Sequence, residues 1–327
     1  MSASRISIAL ATFQGARFLP VQLESYLHQS RLPDELIVSD DSSSDATAAI
    51  VDDFRNKAPF SITFISNSGK HGITENFANA ILHCNNDLIL LSDQDDQWLP
   101  NHIERLAAML ESDTRIKCVS SNSQIVDENL QPKGNTLADS ERYSKTLSDE
   151  LMRFPRNQLE LVLRHRILAG HGMAFKRELL PFIVPFTEHC LYDCWIYLLA
   201  ATISPVGYVS EPLTLYRTHP RQIMGGEKKS LVEAAEKMKR TPAFVDEGPR
   251  WRDILKRLRE FPDLAEDFEY SERLLQQKID FIERRSLNRS RALPQRIAGA
   301  TLELLRGRYH RLGRGLIAYG RDLNGNS

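Results

Sequence analysis

Between positions 6 and 122, short apolar runs alternate with segments whose apolar residues recur every three or four positions. The runs at 6–12, 35–39, 61–66, 87–92 and 116–121 predict strands. In the first of them Ile6, Ile8 and Leu10 alternate with Ser7, Ala9 and Ala11, the pattern of a strand and not of a signal-peptide core. Four helical stripes separate the runs: Phe18, Gln22, Leu23, Tyr26 and Leu27; Ala46, Ile50 and Phe54; Phe77, Ala80 and Ile81; Ile103, Leu106 and Leu110. Strand and helix in turn predict an α/β fold, a mostly parallel sheet flanked by helices, with ligands collecting beyond the carboxyl ends of the strands.

The alternation then weakens. Residues 123–165 are polar and irregular, with a weak helix near 147–154; strand signals return at 168–175 and 213–216, around a helix at about 191–202. From 227 onward the period is helical, with breaks at Pro242, Gly248-Pro249, Pro262 and Pro294. This predicts an α/β domain over 1–226 and a helical region over 227–327.

Charge divides the chain at the same place. The 42 Lys and Arg nearly cancel the 43 Asp and Glu, yet 1–226 carries net −7 and 227–327 net +6. Within 284–321 ten arginines accompany one acid, Glu303. An acidic half suited to a metal is joined to a basic tail suited to an anionic membrane surface. No aromatic platform is interleaved with those arginines, so nucleic acid is not the expected partner. The four cysteines form no C-x-x-C pair, which predicts a reducing compartment. The longest weakly polar stretch, 195–209, has 15 residues broken by Ser204, Pro205 and Gly207, too short to span a bilayer. The expected location is cytoplasmic, peripheral at the inner face of the membrane if the tail docks there.

The strongest chemical feature is Ser92-Asp93-Gln94-Asp95-Asp96-Gln97-Trp98, at a strand end and just before Pro100 can open a helix. Three packed carboxylates repel and raise one another's pKa unless a cation sits among them. Mg2+ or Mn2+, sharing a few carboxylates with a substrate diphosphate, meets that need. A solvated helix-capping loop is the plain alternative. A calcium loop is the poorer one, because Trp98 stands where its sixth position requires glycine. A second acidic turn, Asp40-Asp41-Ser42-Ser43-Ser44-Asp45, follows the second strand beside Ala11-Thr12-Phe13-Gln14-Gly15. An aromatic face and an acceptor carboxylate there can hold a base and its ring N–H, although Ser and Asp also serve as ordinary helix caps.

These three motifs, in this order and spacing, resemble family 2 inverting glycosyltransferases of the GT-A fold over roughly residues 5–225. The SDQDD-x-W form and the later Tyr216-Arg217-Thr218-His219 resemble bacterial polysaccharide enzymes, often rhamnosyl- or galactosyltransferases. The resemblance implies a GT-A (Rossmann-like) sheet with a helical C-terminal extension and a UDP- or dTDP-linked sugar donor. It also implies a glycan or lipid-linked acceptor. It places Thr12, Phe13 and Gln14 around the nucleoside and gives Asp41 the hydrogen bond to the pyrimidine. Asn67, Gly72 and Asn76 line the donor pocket with Asp93 and Gln94, and Asp95, Asp93 and His219 serve the metal. Glu75-Asn76 stands where many relatives carry an arginine. Asp193, in Tyr192-Asp193-Cys194-Trp195, matches the general base that an inverting transfer needs, and an acid at a helix start is also an ordinary cap.

His171, in Ala169-Gly170-His171-Gly172-Met173, and Trp195 are candidate sugar or acceptor contacts, the two glycines allowing close backbone approach. His71, Gln222, Gly225 and Gly226 are candidates for a closing loop. Cys190 and Cys194 share a helical face, with core packing the expected reason and zinc the alternative. Two other functions stay open at this point: a sugar-phosphate nucleotidyltransferase, whose glycine-rich basic loop is missing from 11–17, and a sugar-nucleotide-binding scaffold without turnover.

Overall fold

In a computed structural model, residues 3–139, 158–164, 169–220, 222 and 247–324 are described. The first half follows the apolar pattern: β1 (Ile6–Thr12), α1 (Leu19–Leu27), β2 (Glu35–Asp40), α2 (Thr47–Arg55), β3 (Ser61–Ser66), α3 (Ile73–Leu82), β4 (Leu88–Asp93) and α4 (His102–Ser112), with a two-residue β5 (Gln97–Trp98) inside the acidic motif. β3, β2, β1 and β4 lie side by side and parallel. Their registers align Thr12 with Asp40, Asp40 with Ser66, and Ala11 with Asp93, so the four strands end together. The two acidic motifs therefore leave the sheet on either side of β1, where ligands of open α/β sheets collect.

The second half departs from the predicted bounds. β6 (Cys118–Val126) runs past 121 and pairs with β7 (Pro132–Thr136), a strand in the stretch read as irregular. A short 3-10 turn at Gly170–Gly172 leads into β8 (Met173–Lys176), which is antiparallel to both β4 and β6. β9 (Gly207–Arg217) is far longer than 213–216 and runs parallel to β6. Pro212 falls where the β6–β9 register shifts, and a residue without an N–H fits an extended run only at such an irregularity. The sheet is thus largely parallel with antiparallel members. The weak helix near 147–154 lies outside the described residues.

Alternation in the strands divides the core by face. Ile8, Leu10, Val38 and Leu90 pack against α1, α2 and α4. Ala9, Ile37, Ile89 and Leu91 face the opposite layer, which holds α3, α5 (Gln158–Arg164), α6 (Leu180–Ile183) and α7 (Tyr192–Ile203). That second core continues into the C-terminal helices. Trp251, Ile254 and Leu258 of α8 (Glu247–Glu260) and Leu274, Leu275 and Phe281 of α9 (Phe268–Arg289) belong to the same apolar cluster as Trp195 and Leu199. α10 (Leu293–Leu305), α11 (Arg308–Leu312) and α12 (Leu316–Asn324) complete the chain. Gly248-Pro249 opens α8 and Pro294 opens α10, as the missing N–H of proline favours at a helix start.

Candidate active site

β4 delivers Asp93, and the turn after it presents Gln94, Asp95 and Asp96 in three directions. The Gln94 side-chain amide closes two bonds on the Phe13 backbone, Oε1 accepting from its N–H and Nε2 donating to its carbonyl, each at 2.9 Å. A Cβ at Gly15 would lie 2.3 Å from Gln94 Oε1, so this staple requires glycine there. Gln94 joins the first motif to the acidic one.

Asp96 is 1% exposed. Its Oδ1 accepts from the Arg217 N–H at 3.0 Å, while its Oδ2 has no hydrogen-bond partner and lies 3.8 Å from His171 Nδ1. His171 is buried, stacks on Tyr216 with ring centroids 4.6 Å apart, and meets Ser123 Oγ through Nε2 at 2.8 Å. Ligand atoms of Asp93, Asp96 and His171 lie within 4.8 Å of one another. On the outer side of the turn, Asp95 Oδ2 and His219 Nε2 are 2.8 Å apart. Arg217 Nε donates to the Asp95 carbonyl at 2.6 Å, and its guanidinium lies over the Phe18 ring. The end of β9 therefore wraps the acidic turn.

The electrostatics follow from three carboxylates sharing so little water. Burial, then Asp95 and Asp193, push Asp93 up to about 8. Burial, then Asp95 and Asp93, raise Asp96 well above the carboxylate range. Burial pushes His171 down to about 4, so its imidazole is neutral and able to accept or ligate. Carboxylate oxygens, one of them without a partner, beside the neutral His171 imidazole form a donor set that fits a hard or borderline divalent cation.

The base-side carboxylate is held differently. Asp41 Oδ1 accepts from Asn67 Nδ2 at 3.0 Å and pairs with His71 Nδ1 at 2.7 Å, and Oδ2 accepts from the Gly72 N–H at 2.9 Å. Gly72 has φ 120°, a backbone state natural to glycine, and this turns its N–H toward Asp41 as α3 begins. These contacts occupy three of the roughly four lone-pair sites of the carboxylate, whose side chain is 12% exposed. Phe13 is 55% exposed beside it, and Gln14 bonds Ser43 and Ser44 across the cleft rim.

α7 supplies Asp193 in its first turn, half-buried, with Oδ1 accepting from the Cys194 N–H. The preceding Tyr192 stacks on Phe77 at 3.8 Å and donates its hydroxyl to Asp93 Oδ1 at 3.3 Å. The α7 start is thereby pinned to the β4 end.

Several of the sequence candidates are held by protein partners. Thr12 is 1% exposed; its hydroxyl donates to Asp40 Oδ1 and its carbonyl accepts from Asp41 and Asn76. Asn76 is a buried strut, accepting from Ser39 Oγ at 2.6 Å, and Asn67 folds its own loop by bonding Asp41, Lys70 and Gly69. Trp195 is 3% exposed, packs in the core, and its indole N–H donates to the Ile183 carbonyl at 2.7 Å. The two glycines around His171 make room for protein: a Cβ at Gly170 would meet the Tyr192 hydroxyl at 2.3 Å, and one at Gly172 would meet Ser121 Oγ at 2.7 Å. Gln222 braces the turn after β9, accepting from the His219 N–H and donating to the Arg217 carbonyl. Gly225 and Gly226 lie outside the described residues.

Asp96, Tyr192 and Arg217 were not singled out as site residues. Their signals were present, Asp96 as the third acid of the turn, Tyr192 beside Asp193 and Arg217 within Tyr216-Arg217-Thr218-His219.

The family model described as Glycosyl transferase family 2 matches residues 7–182. The chain is similar to the dTDP-rhamnosyl transferase RfbG of Shigella flexneri, 27% identical over 221 residues, 66% of this chain and 73% of that protein. Among solved structures, residues 1–349 of S. aureus TarS in complex with UDP superpose with a TM-score of 0.57 at 15% identity, covering 98% of this chain and 88% of that one. The mannosyltransferase PcManGT from Pyrobaculum calidifontis in complex with GDP-Man and Mn2+ gives 0.52 at 15%, with 99% and 88% covered. At these identities the likeness to the solved structures is one of fold.

Proposed function

The chain belongs to glycosyl transferase family 2 and is a glycosyltransferase of the GT-A fold, and we propose that it is metal-dependent and inverting. In this reading it moves a sugar from a UDP- or dTDP-linked donor to a hydroxyl of a glycan, free or carried on lipid, in bacterial surface polysaccharide synthesis. The observation that supports the reading is the placement of four acids from three elements, Asp41 after β2, Asp93 and Asp95 at the end of β4 and Asp193 on α7, with the first three at the carboxyl ends of neighbouring strands and Asp193 close enough to act on Asp93. The names of similar proteins, with UDP, GDP-Man and dTDP among their ligands and donors, support a nucleotide-sugar.

Asp95 and His219, with Asp93, would hold Mg2+ or Mn2+, and Asp96 fixes the turn through Arg217. When bound, the cation neutralises charge on the leaving diphosphate. Phe13 offers a face for the base, and the remaining lone pair of Asp41 accepts its ring N–H. Asp193 takes the proton of the acceptor hydroxyl as that oxygen bonds to the anomeric carbon and the bond to the nucleoside diphosphate breaks. Among the described residues no helix is long and apolar enough to cross a membrane; the reading places the enzyme in the cytoplasm, where nucleotide sugars are available to it.

The test is calorimetric titration with UDP-, dTDP- and GDP-sugars, with Mn2+ or Mg2+ and then with EDTA. One pyrimidine donor binding only with metal is expected. Equal binding of all donors in EDTA rejects the metal role and the base assignment together.

A further inference from the structure

Large apolar side chains are exposed very unevenly in this protein. Of eleven exposed large hydrophobics among the described residues, seven lie within 287–317. α10 turns Ala300, Glu303 and Leu304 inward and leaves Ala298, Leu302 and Leu305 outside, Leu305 at 80%. α12 does the same, burying Ala318 and Asp322 and presenting Leu316 and Ile317, each 63% exposed. The two helices pack together, with Thr301 Oγ1 and the Tyr319 hydroxyl 3.0 Å apart. A concentration of this kind marks a surface that meets something apolar.

The charges around it identify what. The only acids in 284–324 are Glu303 and Asp322, and both are buried. Asp322 is gripped by Arg285 and Arg289, and Glu303 by Arg284, Arg306 and Arg308. Five of the ten arginines share those two acids and Arg311 pairs with Glu160, so the exposed face keeps surplus positive charge. Arg291 and Arg306 flank the ends of α10, and Arg314 and Arg321 flank Leu316 and Ile317. Neither Arg314 nor Arg321 has an ion-pair partner among the described residues.

We propose that the outer face of α10 and α12 docks on an anionic lipid bilayer, with Leu305, Leu316 and Ile317 entering the headgroup boundary and the flanking Arg291, Arg314 and Arg321 on lipid phosphates. The apolar residues favour insertion and the guanidinium groups favour the phosphate plane. A second copy of this chain is the disfavoured occupant. A two-fold contact would set the same arginines against themselves with no exposed acid to answer them. The proposal does not depend on the transfer chemistry.

Co-sedimentation of the full chain with phosphatidylcholine vesicles, alone or with about one third phosphatidylglycerol, tests it. Partition onto the anionic vesicles is expected to exceed the neutral ones about tenfold or more, and to fall as salt shortens the Debye length from about 14 to 5 Å. The variant Leu305→Glu/Ile317→Glu loses binding at least about tenfold with its unfolding midpoint unchanged, since both side chains are in solvent. Arg314→Glu/Arg321→Glu binds less and with a shallower salt dependence. Absence of vesicle binding overturns the proposal, as does equal binding to both compositions. A dimeric mass that Leu305→Glu/Ile317→Glu abolishes, without vesicle binding, also overturns it and assigns the face to a second copy.

Discussion

Two groups of buried carboxylates, one at the end of β4 and one in the C-terminal helices, are treated in opposite ways. At the end of β4, Asp93 and Asp96 lie beside each other and Asp95, and the protein answers with a backbone N–H, a tyrosine hydroxyl, the His219 ring and the His171 imidazole that burial keeps neutral. In the C-terminal helices, Asp322 receives a two-pronged Arg285, with Nε at 2.6 Å and Nη2 at 2.9 Å, as well as Arg289 and the Tyr309 hydroxyl. Acids packed on acids are poised for a charge from outside, while acids packed on arginines are already complete. Burial by itself distinguishes nothing; the partners do.

The sharpest way to break this contrast is to remove the outermost acid of the first group. Asp95→Ala is expected to lower transfer by about 10³-fold or more and to make nucleotide affinity indifferent to Mn2+, as titration with and without metal reads out. Retained metal-dependent turnover would end the assignment. Asp193→Asn keeps shape but takes no proton, so single-turnover transfer should fall about 10²-fold with donor affinity unchanged. A near-normal rate would place the base on another residue.

Asp322→Ala probes the other group. It leaves Arg285 and Arg289 without their acid and should cost about 3 kcal/mol in urea unfolding while nucleotide affinity stays the same. An activity loss without a stability loss would contradict the division drawn above.

The smallest effect concerns a buried cation that joins the two halves. Lys278 donates to the carbonyls of Leu163, at 2.9 Å, and Leu312, at 2.6 Å, and burial pushes it down to about 8. Because its pKa is depressed on folding, the unfolded chain holds more protons between pH 8 and the ordinary lysine value. The penalty of burying the charge is therefore present in full below pH 8 and is relieved as pH rises above it. Unfolding free energy should gain roughly 1–2 kcal/mol from this group between pH 8 and 9.5, and Lys278→Met should remove that part of the slope. A slope identical in both proteins would mean that Lys278 keeps its ordinary pKa.

Local pattern alone determined β1 to β4 and the helices between them, because each is a short run whose apolar period is satisfied by its immediate neighbours. It also determined that Asp41, Asp93 and Asp95 would sit at strand ends, since each directly follows or closes such a run. The tertiary structure decided what no local period encodes. β9 runs through Ser210-Glu211-Pro212, which breaks the apolar alternation, because pairing with β6 supplies hydrogen bonds the sequence does not advertise. Thr12 and Asn76 turned inward because partners from other elements claimed their polar atoms. Trp195 became core because Ile183 met its N–H. Asp96, Tyr192 and Arg217 joined the site through contacts that span about a hundred residues or more, Arg217 reaching back 121 positions to Asp96 and Tyr192 back 99 to Asp93. The orientation of such side chains is a property of long-range packing, which fixes who answers each charge only after the sheet has closed.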